Sequence, residues 1–407
     1  MKNIVVMKFG GSSVADADKI KHVADQVIAK KREGYNVVVV VSAPGDTTDD
    51  LVKMAYDITE APLDREMDML LATGEQISIS LLSMAINHKG EDAISLTGAQ
   101  VGVKTDKTHT KAKITEIHTH KLKKELSHGK IVIVAGFQGI TPDDDITTLG
   151  RGGSDLTAVA LSAVLKAYQC EIYTDVMGVF TTDPRLITDV TKIDTISYDE
   201  MLEMAGLGAQ IMQARSIEVA KKYNVVIQVR STFSDEQGTI ITVEDSTMED
   251  VLVRSIVFDR NQIKFSVTHI PDEPGVAAQI FQELAQAQIN VDMIIQSAAE
   301  KGKNDISFTV HEQDFQKTLA ILNKTKERLK AANIIYDDKA AKLSIIGVGM
   351  KSHTGVAAKM FTTLGNEKIN IDMISTSEIK ISCIISRDNV DKGVKALHKV
   401  FELNKKQ

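Results

Sequence analysis

An internal duplication near the C-terminus limits, more than any other feature, what this 407-residue chain can fold into. The segment Asp272–Leu284 (DEPGVAAQIFQEL) aligns without a gap with Ser352–Leu364 (SHTGVAAKMFTTL), at an offset of 80 residues. At the same offset, Ile289–Ile294 (INVDMI) corresponds to Ile369–Ile374 (INIDMI). Each copy predicts the order strand, turn, helix, strand, strand, helix, which is typical of a ferredoxin-like α+β module. We therefore expect two such modules in tandem.

The chain before about residue 245 has a different pattern, in which apolar strand-like runs alternate with amphipathic segments. Val37–Val41 is a run of five valines, which predicts a strand buried on both faces of a parallel sheet. The other predicted strands are Ile4–Met7, Lys130–Ala135, Cys170–Thr174 and Val225–Val229. The predicted helices are Ala17–Arg32, Leu63–His88, Leu156–Ala167 and Ile211–Tyr223. This alternation predicts a three-layer α/β domain.

These patterns divide the chain into a three-layer domain (1–245), a linker with one strand (246–262), and two α+β modules (263–340 and 341–407). The strand, predicted at Val251–Phe258, precedes the first copy of the repeat and could pair with the second copy. Such a pairing would interleave the two modules.

Composition and charge indicate which partners and which compartment to expect. The net charge of −7 gives no reason to expect nucleic acid as a partner. The N-terminus resembles a first strand and not a signal peptide, and we expect no stretch of the roughly 20 apolar residues that cross a bilayer. Cys170 and Cys383 lie far apart in strand-like segments. This cysteine usage is typical of a reducing compartment, so we expect a cytoplasmic protein.

Three glycine-rich segments follow or precede predicted elements of the α/β domain: Lys8–Ser13 (KFGGSS), Gly136–Gly139 (GFQG) and Gly150–Asp155 (GRGGSD). Glycines let backbone N–H groups approach a ligand, and a helix N-terminus adds the positive end of a dipole. One such segment alone is usually only a turn. Three in one domain, with a lysine and an arginine, predict an anion site, most simply for phosphate. Neither a Walker A motif nor a G-x-G-x-x-G fingerprint is present.

These motifs, with Thr73–Glu75 (TGE) and Thr174–Arg185 (TDVMGVFTTDPR), resemble those of aspartate kinases, which have the amino-acid kinase fold. The duplicated modules resemble the paired ACT domains of that family, and Ser375–Ile379 (STSEI) is typical of the second. The resemblance covers essentially the whole chain. It is to the short, monofunctional bacterial form, without a homoserine dehydrogenase domain.

The resemblance implies transfer of the ATP γ-phosphate, with Mg²⁺, to the side-chain carboxylate of L-aspartate, the first step of lysine, threonine and methionine biosynthesis. A carboxylate with a pKa near ~4 needs no general base at neutral pH, so catalysis must come from positioning and from positive groups. The implied catalytic residues are Lys8 and Asp155, and the implied substrate-binding residues are Ser42, Thr48, Glu75, Arg151, Gly153 and Ser154. The implied ATP-binding residues are Lys8, Phe9, Gly10, Gly11, Thr174, Asp175, Phe180, Asp183 and Arg185.

The same resemblance implies amino-acid effector sites between ACT domains and a homodimer formed through them. Lysine, with or without threonine, is the expected effector, and the sequence does not decide between these. The simpler interpretation is that the modules only dimerise the protein. The implied effector residues are Asp272, Gly275, Ala277, Asn290, Asp292, Gln296, His353, Thr354, Val356, Ser375, Thr376 and Glu378.

Two positions depart from the family pattern, since many relatives have lysine at Gln210 and aspartate at Met177. Gln210 removes a positive charge, and it supports an alternative in which the chain is a catalytically weak amino-acid sensor.

A kinase for another acid, such as acetylglutamate, would lack this combination of motifs. Met248 could start a short form of the same protein. We expect no protein metal site, since the remaining candidates, His109, His118, His120 and His128, form no convincing ligand set.

Overall fold

The computed structural model describes residues 3–207, 211–244, 252–329, 331–351 and 353–405. Gln210 and Met248 lie outside the described residues. The chain forms two compact units, the first made of residues 3–179, 192–206 and 211–244 and the second of residues 180–191, 207 and 252–405. The predicted domain boundaries (245, 262 and 340) stay predictions.

The first unit contains an eight-stranded, mainly parallel sheet and a smaller four-stranded sheet. Its strands are β1 (Ile4–Phe9), β2 (Asn36–Val41), β3 (Ala93–Leu96), β4 (Val103–Thr105), β5 (Ile114–Ile117), β6 (Ile131–Ala135), β7 (Gln138–Ile140), β8 (Ile146–Thr148), β9 (Gln169–Thr174), β10 (Thr195–Ser197), β11 (Ile227–Ser231) and β12 (Thr239–Thr242). The large sheet has the order β10-β12-β11-β9-β1-β2-β6-β3, and only the β11–β12 pair is antiparallel. The small sheet has the order β5-β4-β7-β8.

Helices cover both faces of the large sheet. They are α1 (Ala17–Arg32), α2 (Thr47–Ile58), α3 (Asp64–His88), α4 (Gly98–Val101), α5 (His120–Ser127), α6 (Gly153–Leu165), α7 (Tyr198–Gly206) and α8 (Ala214–Tyr223). Helices α1 and α3 pack on one face, in a core that includes Val5, Met7 and Phe9 of β1. Because side chains alternate along a strand, Lys8 points to the other face, where α6 packs. The three-layer α/β prediction is confirmed.

Helix α3 differs from one expectation. The sequence suggested no apolar stretch of bilayer length, but among the described residues α3 is long and apolar enough by length and composition alone. Half of its most apolar stretch is buried, and Ile79, Leu82 and Ile86 lie in the core beside α1. A helix in the core of a protein can be equally long and apolar.

The second unit contains two copies of one α+β module. Its strands are β13 (Ser255–Asp259), β14 (Gln262–Pro271), β15 (Val291–Gln296), β16 (Lys303–His311), β17 (Asn333–Asp337), β18 (Ala340–Ile346), β19 (Met373–Thr376) and β20 (Lys380–Ser386). Its helices are α9 (Val276–Gln286), α10 (Phe315–Thr325), α11 (Val356–Asn366) and α12 (Val390–Val400). The two antiparallel sheets have the orders β15-β16-β14-β17 and β13-β18-β20-β19, so the second contains the strand that precedes the first copy. The interleaving considered from the sequence is present.

Two reciprocal ion pairs join the modules. Lys264 of β14 pairs with Asp372 of the second copy, at 4.0 Å between Nζ and Oδ2. Lys342 of β18 pairs in turn with Asp292 of the first copy. Asp292 and Asp372 are equivalent in the duplication. Only Lys342 is nearly fully buried, with 2% of its side chain exposed against 23% for Lys264.

The unequal burial of these lysines predicts unequal costs of breaking the two pairs. Asp292→Asn leaves a buried ammonium group without its carboxylate, and we expect a loss of about 3 kcal/mol in the second unit. Asp372→Asn breaks a more solvated pair, and we expect a loss below about 1 kcal/mol. Hydrogen exchange of the β18 amides in the full chain measures the difference. Equal losses in the two variants would contradict this account.

Candidate active site

The carboxyl ends of four parallel strands, β9, β1, β2 and β6, meet at one edge of the large sheet. The loops that follow are joined by backbone hydrogen bonds: the N–H of Gly10 donates to Tyr173, that of Ser42 to Phe9, and that of Gly136 to Val41. In open α/β sheets this edge is where ligands bind.

Several glycines at this edge are required by close packing. A Cβ on Gly11 would lie 2.7 Å from the Ala43 carbonyl oxygen, and a Cβ on Gly74 would lie 2.7 Å from Ala43 Cβ. A Cβ on Gly136 would lie 2.7 Å from Ser154 Oγ. The loops after β1, β2 and β6 are thus drawn against α3 and α6 at distances that a side chain would prevent.

Lys8 and Asp155 form the central ion pair of the site, with 2.6 Å between Nζ and Oδ1. Lys8 lies on the α6 face of β1, and Asp155 lies in the first turn of α6. Both side chains are about one-tenth exposed. A Cβ on Gly10 would lie 3.7 Å from Lys8 Nζ, so the ammonium group is next to the glycine loop. A positive charge and backbone N–H groups therefore face the same edge.

Glu75 is a buried carboxylate on α3, with 2% of the residue exposed. Its Oε1 accepts a hydrogen bond from the Ala43 N–H at 3.2 Å, and its buried Oε2 has no hydrogen-bond partner among the described residues. Burial raises the pKa of Glu75 to about 7. Such a group is suited to receive a cation from a ligand.

Arg151 lies in an exposed turn between Gly150 and Gly152, whose φ angles of 77° and 72° favour glycine. No ion pair to Arg151 is found within the described ranges, so its guanidinium is available to an anion. Gly153 and Ser154 begin α6 and are buried. The other two predicted substrate residues are partly exposed. Ser42 directly follows β2, and Thr48 is the second residue of α2.

The predicted ATP-binding residues fall in both units. Phe9, Gly10 and Gly11 follow Lys8. Thr174 ends β9 and Asp175 follows it, and Thr174 Oγ1 donates to Asp175 Oδ1 at 3.0 Å. Phe180, Asp183 and Arg185 belong to the second unit. There the Arg185 guanidinium donates to Asp183 and lowers the pKa of that carboxyl group. Met177 is exposed.

A cavity of about 500 Å³ in the first module brings four predicted effector residues together: Asp272, Gly275, Ala277 and Gln296. Asn304 of β16 also lines the cavity and was not indicated by the sequence. Its Nδ2 donates to Asp272 Oδ1 at 2.9 Å, and its buried Oδ1 has no partner among the described residues. A lone Asn in a strand carries no signal that could have found it.

The remaining predicted effector residues do not line this cavity. Asn290 directly precedes β15 and Asp292 is its second residue, whereas Gln296 is its last. Asp292 forms an ion pair with Lys342. In the second module, the others lie at the turn before α11, in its first residue, or at the end of β19 and just after it: His353, Thr354, Val356, Ser375, Thr376 and Glu378.

The fold is that of an amino acid kinase followed by a pair of ACT modules. The model of the amino acid kinase family matches residues 3–231, and that of the ACT domain matches residues 267–325 and 343–401. The chain is 51% identical to Aspartokinase 2 of Bacillus subtilis (strain 168) over 402 residues, which cover 99% of this chain and 98% of that protein. It is 49% identical to the aspartokinase of Mycolicibacterium smegmatis over 405 residues, covering 98% and 96%.

Solved structures agree with these relatives. E. coli aspartokinase III, in complex with aspartate and ADP in an R-state, is 26% identical, with a TM-score of 0.82 over 98% of this chain and 99% of that chain. The same enzyme in complex with lysine and aspartate in a T-state is 25% identical, with a TM-score of 0.78 over 97% and 99%. The chain belongs to the aspartokinases, the kinases of aspartate, and the family predicted from the motifs is confirmed.

The raised pKa of Glu75 predicts a stability effect. Because the folded-state pKa lies above that of the unfolded chain, the folded state binds the extra proton between about pH 4.5 and pH 7. The free energy of unfolding therefore falls as the pH rises through this window, by about 3 kcal/mol at most. Glu75→Gln removes this loss, so the variant should be more stable than the parent at pH 8 and similar to it at pH 4.5.

Urea unfolding of both proteins at the two pH values measures this difference. A variant that is less stable than the parent at pH 8 would contradict the assignment of Glu75 as an uncompensated buried charge.

Proposed function

We propose that Lys8 and Asp155 form the phosphoryl-transfer centre of this aspartate kinase. The observation that carries the proposal is the buried Lys8–Asp155 pair beside the glycine loop at the carboxyl ends of the parallel strands. Bringing an anionic nucleophile onto an anionic γ-phosphate requires fixed positive charge. In this proposal Asp155 holds the ammonium group of Lys8, and Lys8 with the N–H group of Gly11 stabilises the transferring phosphoryl group.

Aspartate is held at its two α-substituents, which leaves the side-chain carboxylate free to attack. Glu75 receives the ammonium group, which supplies the partner that its buried Oε2 lacks. Arg151 binds the α-carboxylate as a bidentate fork, a geometry that guanidinium favours. Four smaller groups complete the substrate site: Ser42, Thr48, Gly153 and Ser154.

The nucleotide is proposed to be ATP with Mg²⁺. Thr174 and Asp175 of the first unit supply contacts to ATP, and the roles of Phe180, Asp183 and Arg185 stay predictions. The described part of the chain holds no group of three or more residues suited to bind a metal. Mg²⁺ commonly binds through phosphate oxygens and water with few protein ligands, so we assign it to the nucleotide.

The second unit is proposed to bind an inhibitory amino acid, lysine with or without threonine. The N–H groups at the start of α9 suit the carboxylate of a free amino acid, and Asp272 suits its ammonium group. The lysine-bound T-state of the E. coli relative supports lysine. Inhibition requires that the effector bind a low-activity state better than the active one.

Assembly and compartment complete the proposal. We expect a homodimer through the ACT domains, possible association with a short form begun at Met248, and no nucleic-acid or membrane partner. Cys170 and Cys383 are buried free thiols, and burial raises the pKa of each to about 12. These unpaired thiols support a cytoplasmic location.

Hydroxylamine trapping of the acyl phosphate tests the catalytic proposal. We expect hydroxamate with ATP and L-aspartate but not with L-glutamate. Lys8→Met should lower kcat at least about 100-fold, because it removes the main cation. Lys21→Met is the matched control, since Lys21 pairs with Asp18 on the exposed face of α1. If the folded protein binds ATP and makes no hydroxamate, the sensor alternative replaces this proposal, and Gln210→Lys is the next variant to assay.

The first-module cavity makes a separate prediction about inhibition. Asn304→Leu removes the buried acceptor and the hydrogen bond to Asp272, so the lysine concentration for half-inhibition should rise at least about tenfold. Uninhibited kcat should not change. Asn323→Leu is the control, because Asn323 is exposed on α10 and does not line the cavity. Equal effects of the two substitutions would exclude this cavity as the effector site.

A further inference from the structure

Asp68 is a fully buried carboxylate of the first unit that the proposed reaction does not use. It is 0% exposed and accepts from three residues. His109 Nδ1 lies 2.7 Å from Oδ2, the Thr110 N–H lies 3.0 Å from Oδ1, and Thr148 Oγ1 lies 2.5 Å from Oδ1. Because a carboxylate only accepts, we assign the ring proton of His109 to Nδ1. A buried charge with this many donors is held in one place.

The donors to Asp68 belong to the chain segments that surround Arg151. Thr148 ends β8 and comes shortly before the turn that carries Arg151. The Thr110 carbonyl oxygen lies 3.1 Å from where a Cβ on Gly150 would be, so the His109 loop packs directly on that turn. The Ala112 N–H also donates to the Thr148 carbonyl at 2.9 Å. The Asp68 carboxylate thus holds both the end of β8 and the His109 loop. The turn that carries Arg151 lies between these two segments.

Arg151 depends on this support. It is exposed, and the turn itself consists of glycines in left-handed conformations, which are the least restricted residues when unsupported. On the other side, Arg215 donates to the Leu149 carbonyl at 3.0 Å and to the Ala112 carbonyl at 2.8 Å. The backbone before Arg151 is therefore held from two directions, by Asp68 and by Arg215.

Asp68 is on the same helix as Glu75, two turns earlier and on the same buried face of α3. Glu75 is the proposed partner of the substrate ammonium group, and Arg151 that of the α-carboxylate. One rigid helix therefore sets the positions of both groups, Glu75 directly and Arg151 through the Asp68 hydrogen bonds.

We propose that Asp68 and His109 are positioning residues for aspartate binding, which hold the Gly150–Gly152 turn where Arg151 meets the α-carboxylate. The inference rests on the proposed function of Arg151. From the sequence, His109 was considered only as a metal ligand, without a convincing ligand set. In the structure its side chain is only 20% exposed and is tied to a carboxylate that sequence reasoning did not single out.

Steady-state kinetics of the full chain test the proposal. Asp68→Asn and His109→Leu should each raise KM for aspartate about tenfold, while KM for ATP stays within about twofold. His109→Asn keeps a donor near the position of Nδ1 and should restore most of the affinity for aspartate. His118→Leu is the matched control, because His118 forms an exposed pair with Glu116. Equal rises in both KM values, or no rescue by His109→Asn, would overturn the proposal.

A double-mutant cycle separates this inference from the function on which it rests. Arg151→Ala alone should raise KM for aspartate, and if it does not, the proposed role of Arg151 is wrong. If Arg151→Ala has this effect, His109→Leu should add little to it in the double variant, because the group that His109 positions is gone. Independent effects that add in full would show that His109 acts elsewhere. If Asp68→Asn does not fold, the His109 variants decide the outcome.

Discussion

The ion pair between Lys8 and Asp155 is the interaction on which the rest of the catalytic unit depends. It requires that β1 place every second side chain toward α6, and that α6 begin beside the carboxyl end of β1. Parallel strands put the neighbouring loops at the same edge. Glycines then let these loops pack against one another and against α3 and α6 at distances that a Cβ would prevent.

A second constraint is the buried face of α3, which carries two carboxylates in different states. Asp68 is fully satisfied by donors from the protein, whereas Glu75 has one oxygen without a partner. The satisfied group stabilises the structure, and the unsatisfied group is available to a ligand at a cost in stability. Two carboxylates on one helix therefore have different roles: Asp68 holds the structure, and Glu75 belongs to the candidate site. The number of hydrogen-bond donors that each carboxylate receives distinguishes these roles.

Much of this arrangement could be predicted from the sequence, because glycine loops, the valine run of β2 and the duplicated module are local patterns. The bounds of α1 were predicted without error. The short strands β4, β5, β7 and β8 were not predicted, since three or four residues carry no clear periodicity. Asp68, His109 and Asn304 were not predicted to have a role either. Their importance comes from partners that are distant in the sequence, and a single polar residue does not reveal such partners.

The reciprocal ion pairs of the second unit have a consequence for the history of the duplication. Lys264–Asp372 and Lys342–Asp292 are the two contacts that a two-fold axis generates when one surface meets its own copy. A single ancestral module with one such lysine and one such aspartate could satisfy both by self-association. Once both copies lie in one chain, mutation can alter one contact and leave the other unchanged. In a symmetric dimer the two lysines would be equally buried. Their unequal burial in this chain is therefore a difference that arose after the duplication.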